Sequence, residues 1–313
     1  MNKKFLYTVI TVSFLIAGCG NADSANRLQQ NKEPSMKTTE ASEENIALTT
    51  PPENTVDYSQ YLKKTWIRDT DAGFPDNGGL SILISRIEDG KLYGDISVVG
   101  NGPAYNMDSA ELEGTVDHDT AQCHLVNDSR GNEGRVKLLF KPEGALEAEV
   151  TITEKSEDPL ITLPQGTFEF TPYNLKDIKG FVPVEAQTFP VDLNSWGNVK
   201  FVSGKLTAGN HVPAVFYLTD EGGDILYSFN AVLPYSVDVK AVSFKDVDRD
   251  GLKDIIIIVA DNYEGSSGGT IATVYMQKAD GSFLNDSELD QEINNSGNNK
   301  DISTVTNYLL SKF

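Results

Sequence analysis

Cysteine is nearly absent from this chain: Cys19 and Cys123 are the two present among 313 residues. With Cys19 modified, Cys123 stands alone, no intrachain disulfide can form, and stability has to come from core packing or a bound metal. Cys123 and its neighbour His124 lie in a strand-like segment without a partnering motif. A buried thiol beside a surface imidazole is therefore expected, rather than a catalytic pair. Positive charge is scarce as well, with 26 Lys and Arg against 46 Asp and Glu and a formal net charge of −20. Loss of Lys3 and Lys4 with a leader that carries no acids would take this to −22. Such a surface repels nucleic-acid phosphates and anionic headgroups, so no nucleic-acid partner is expected; divalent cations and basic partners are favoured. Spaced catalytic groups are also missing. Acids are plentiful, yet no pair of them can be nominated for acid–base work.

The N-terminus reads as an export signal over residues 1–18. Lys3 and Lys4 supply charge, and residues 5–15 form an apolar run shorter than the roughly 20 residues a permanent transmembrane helix needs. The sequence Leu15-Ile16-Ala17-Gly18-Cys19 resembles the bacterial lipobox. That resemblance implies cleavage before Cys19 and lipidation of its thiol and new amino group, with more than one acyl chain giving a stable membrane anchor. It places the protein in the cell envelope, on the extracytoplasmic side. Residues 19–56 are polar and poor in aliphatic side chains, so they are expected to form a disordered tether. As a flexible coil it would span on the order of 35 Å.

Residues 57–176 alternate apolar and polar positions between turn signals. The segments 80–87 and 92–99, joined by Glu88-Asp89-Gly90-Lys91, read as a hairpin. Further strands are expected near 110–116, 121–126, 134–140, 145–153 and 166–171, which predicts an antiparallel sandwich or small barrel. A short helix over 58–66 would carry Trp66 as a core plug. The acids Asp69, Asp71 and Asp76 among Gly73, Gly78 and Gly79 lack a regular spacing, so a solvated loop is expected there. Asp117-His118-Asp119 reads as a hairpin tip.

Residues 177–313 begin with strands near 199–204, 214–219, 225–229, 237–244, 255–260 and 270–277. The period then changes: Leu289 and Ile293 are four apart, and Asp301 is placed to cap a final helix with Ile302, Val305 and Leu309 on one face. Strands first and helices last predict an α+β domain. Asn262 to Thr270 carries the Gly-rich look of a phosphate loop without its Lys-Ser/Thr ending, and reads as a hairpin loop with Tyr263 exposed to partners.

The most specific chemistry is Phe244-Lys-Asp-Val-Asp-Arg-Asp-Gly-Leu-Lys-Asp254, followed directly by Ile-Ile-Ile-Ile-Val-Ala. Calcium takes six to eight oxygen ligands, which a short loop with alternate inward carboxylates supplies. Asp246, Asp248 and Asp250 alternate, Gly251 permits a sharp turn, Leu252 offers its carbonyl, and Asp254 closes the shell from the strand mouth. Lys245, Arg249 and Lys253 fill the intervening positions. Position twelve, a bidentate Glu in an EF-hand, is Ile257. The segment resembles the loops of FG-GAP and VCBS repeats, found in integrin alpha chains and bacterial surface proteins. One copy is present, which argues against a propeller. The resemblance implies a structural calcium site with Asp246, Asp248, Asp250, the Leu252 carbonyl and Asp254 as ligands.

Taken together, the sequence predicts a β-rich protein, lipid-anchored through Cys19, that binds or scaffolds an envelope protein or glycan and carries structural calcium. The alternative is an envelope hydrolase acting on glycan or a similar substrate.

Overall fold

The alternation read from 57–176 builds eight antiparallel strands in a simple meander: β1 (Thr65–Arg68), β2 (Gly79–Glu88), β3 (Lys91–Val99), β4 (Met107–Asp117), β5 (Thr120–Val126), β6 (Glu133–Lys141), β7 (Ala145–Glu154) and β8 (Gly166–Pro172). β1 pairs with both β2 and β8, Ile67 opposing Ser81 on one side and Thr171 on the other, so the sheet closes into a barrel. Of the two architectures left open by the sequence, the barrel is the one formed. These are the coordinates of a computed structural model that describes residues 56–313 except 72, 76, 104–105, 143, 156–160, 209–210, 231 and 263–267. The signal, nearly all of the tether, Cys19, Asp76 and Tyr263 lie outside the described residues.

Every second residue of the barrel points inward. Ile82, Ile84, Leu92, Ile96, Leu112, Leu138 and Leu146 are all buried, which fills the narrow interior of an eight-stranded barrel with side chains. Gly94 and Gly114 occupy inward positions where a Cβ would sit 2.3 Å from the carbonyl oxygens of Leu83 and Gln122, so only glycine lets the neighbouring strands approach there. The β2–β3 hairpin turns on Asp89 and Gly90, both at positive φ, as a two-residue primed turn requires. The expected helix over 58–66 is reduced to one 3₁₀ turn (Tyr58–Tyr61), because Trp66 belongs to β1. Trp66 still plugs the core: it stacks on Tyr61 at 5.7 Å and its indole N–H donates to the Tyr61 carbonyl.

The second part has three layers. One sheet holds β9 (Phe181–Pro183), β10 (Phe189–Leu193), β11 (Gly197–Leu206), β12 (Ala214–Thr219) and β13 (Ile225–Ser228). The other holds β14 (Val237–Lys245), β15 (Asp254–Asp261), β16 (Gly269–Gln277) and β17 (Phe283–Asn285). Helices α1 (Ser287–Asn295) and α2 (Ile302–Lys312) follow, capped by Asp286 and Asp301. Phe201, Phe216 and Leu218 pack against Ile255, Ile257 and Val259 between the sheets, while Ile256, Ile258 and Val274 pack against Leu289, Ile293, Val305 and Leu309 on the far side. β15 is therefore covered on both faces, which explains why its sequence is apolar at successive positions instead of alternating.

Two sheet edges end on side-chain amides. The Gln187 carboxamide donates to the Lys240 carbonyl and accepts from Val242 N beside a register shift in β14. On β16, Asn294 bonds both N–H and C=O of Ala272, and Asp290 accepts from Val274 N at 2.9 Å. Barrel and layered part join through Lys64, whose ammonium bridges Asp220 at 2.7 Å and Asp224 at 2.8 Å. Ile67, Tyr173 and Ile225 form a small apolar cluster at the same junction.

Candidate metal centre

The β14–β15 hairpin sets the geometry of the aspartate loop. Lys245 pairs with Asp254 across the strand ends, which leaves residues 246–253 to form the turn. Phe244, the last aromatic before it, packs edge-on against Phe189 and Phe201 of the facing sheet. Val247 is fully buried in the helix-side core and pins the loop from within. Sequence reasoning passed over this residue, although an apolar side chain between two aspartates was the available signal. Arg249 and Gly251 both adopt positive φ, so the chain reverses sharply at the position where glycine was expected.

Oxygens of Asp246, Asp248 and Asp254 lie within 4.8 Å of one another. Ligands placed about 2.4 Å from one calcium ion lie at most about 4.8 Å apart, so this spacing fits a shared hard cation. Asp250 is not part of that group: its carboxylate accepts from Leu252 N at 2.8 Å. Leu252 is half-buried beside it. Asp246 accepts from Gly251 N, and Asp248 from Asp250 N, which are the short-range bonds that acidic turn residues make with their own backbone.

Asp254 differs from the other three. It is fully buried, and its two oxygens accept from Val247 N and Gln277 N, both at 3.0 Å. Burial raises its pKa from the usual 3.8 to about 6, with the Asp248 and Asp250 charges adding to the effect. Among the described residues no Lys or Arg forms an ion pair with any of the four carboxylates. Arg249 instead donates to the Leu310 carbonyl of α2, and Lys253 to the Asp192 carbonyl of β10. The basic residues thus tie the loop to both neighbouring layers and leave its acids without counter-charge. The residues present fit a divalent cation chemically: oxygen donors only, an uncompensated buried charge, and a mutual spacing of the right size.

The other acids have structural roles. Asp71 is not in a solvated loop as expected: its side chain is 8% exposed, pairs with Arg68 at 2.5 Å and accepts from Leu80 N at 2.7 Å. Arg68 stands three residues away on β1, a partner that irregular acid spacing does not reveal. His118 sits at the tip of the β4–β5 hairpin with positive φ, as expected. Cys123 is buried in the barrel, burial pushes its thiol up to about 12, and His124 is exposed beside it. No helix among the described residues is long and apolar enough to cross a membrane. Compared with protein-family models, curated proteins and solved structures, the chain matches none.

Proposed function

We propose that this chain is a lipid-anchored extracytoplasmic binding or scaffold protein whose layered C-terminal part is held by a calcium ion. The observation that carries the metal reading is the convergence of Asp246, Asp248 and Asp254 with one member fully buried and no basic partner among the described residues. Asp250, on turning inward from its bond to Leu252 N, and the Leu252 carbonyl would complete the shell, and the ion's role would be structural. It would lock the β14–β15 turn, to which Arg249 fastens α2 and Lys253 fastens β10. The lipobox, the polar tether and the strong acidity support placement outside the cytoplasm, tethered through Cys19. The barrel and sandwich would then serve as the rigid body that meets an envelope protein or glycan.

Thermal melts of the full chain in calcium and in chelator test this reading. At twenty times its dissociation constant, one calcium ion contributes about 1.8 kcal/mol. For a folded part of this size that is an upward shift of roughly 3 °C. Asp248→Ala should abolish the difference. Identical melts of the parent protein in the two conditions would remove the metal claim.

A further inference from the structure

The second face of α1 carries a site that calcium binding does not use. A cleft of about 530 Å³ opens between α1, the side-chain-capped edge of β16 and the loop before β14. That is a volume able to hold a small ligand. Its walls are Val232, Leu233 and Ile271, with Val232 left 41% exposed at the lip. Its floor is polar: the Asp290 carboxylate, which accepts from Val274 N, Thr273 Oγ1 and Asn285 Nδ2. All three donors are neutral, and among the described residues no cation pairs with Asp290. Burial raises the pKa of this carboxyl, and Asp286 at the head of the helix adds to the rise.

Closing the β16 edge does not require that charge. One turn along α1, Asn294 caps Ala272 with an uncharged carboxamide, making one bond to each backbone group. An asparagine at 290 could accept from Val274 N in the same way. A carboxylate in a partly apolar cleft that is held by neutral donors alone keeps a charge without a counter-ion, and that charge is satisfied best by a cation on an apolar stem. We propose that this cleft binds an alkyl-ammonium or guanidinium group, its cation on Asp290 and its stem along Val232 and Ile271. The source would be either a lysine or arginine side chain of a partner or a free polyamine. This inference is independent of the calcium reading, because cleft and loop share no residue.

The test is a titration of the isotope-labelled full chain followed by NMR. The probes are n-butylammonium, its neutral isostere n-butanol and its anionic counterpart butyrate. Butylammonium should shift the Ala272, Thr273 and Leu233 amides saturably and bind at least tenfold more tightly than butanol, with butyrate weakest. Asp290→Asn should remove the tenfold preference. Val232→Lys, at an exposed position, should fill the cleft with its own ammonium and abolish binding while the remaining spectrum is unchanged. N-acetyl-lysine-methylamide and agmatine then separate a side-chain ligand from a polyamine, and the tighter binder names the source. Equal affinity for butylammonium and butanol in the parent protein would overturn the proposal. So would butylammonium binding that survives both substitutions.

Discussion

Asp254 makes the metal reading quantitative through pH. Its carboxyl titrates near 3.8 when exposed and near 6 in the metal-free fold, chiefly because it is buried. The folded chain therefore holds this proton more tightly than the unfolded chain does between those values. Stability from this group is fully present below about pH 4 and is lost as pH rises through 6, a loss of at most about 3 kcal/mol. Lowered carboxylates such as Asp220 and Asp301 act in the opposite direction and below pH 4, so they do not mask it. Bound calcium should reverse the trend, because the ion would need the ionised carboxylate and would offset its burial. The assay is urea unfolding between pH 4 and 7, with chelator and with saturating calcium, for the parent chain and Asp254→Asn. Fluorescence in a Trp66→Phe background isolates Trp196, whose indole bonds Gly281 within the layered part. In chelator the parent should lose stability relative to the variant across that window. In calcium it should not. Parallel pH curves for the two proteins in chelator would refute the argument from burial, and a calcium-indifferent parent would refute the argument from the ion.

Two further outcomes are expected. Cys19→Ser should release the protein from membranes into the soluble fraction; fractionation showing retention at the membrane would count against lipid attachment. Asp71→Ala should leave the calcium response of the melting curve intact while lowering stability by about 1–3 kcal/mol, because it strands the buried Leu80 N–H and the Arg68 guanidinium. Loss of the calcium response in that variant would place the metal in the barrel.

Long strands with a clean period of two were legible because their pattern is local. β2 through β8 stand close to where alternation puts them, and the Asp301 cap and the Leu289–Ile293 stripe begin and face their helices as read. Apart from β13, short strands were not legible. β1, β9, β10 and β17 have three to five residues each, too few to show a period, and they form because a longer neighbour offers a free edge. Barrel closure depends on Ile67 meeting Thr171 across the whole meander, a contact that no window of sequence contains. The same division holds for the sites. Asp246, Asp248 and Asp254 lie within nine positions, so spacing alone brought them together, whereas the turn bond from Leu252 that occupies Asp250 could not be read. Asp290 draws its meaning from the β16 edge beside it, which only the folded chain creates.

The amide-capped edges bear on how this protein behaves in numbers. Where copies of a protein meet at high local density, an open strand is an invitation to pair with the next copy. At Gln187 and Asn294 that invitation has already been answered from within the chain, by side chains that bond one strand's N–H and C=O groups as a neighbouring strand would. Crowding can therefore raise the frequency of collisions without seeding a continuous intermolecular sheet at these edges. Loss of either amide would turn a private hydrogen-bonding row into a public one.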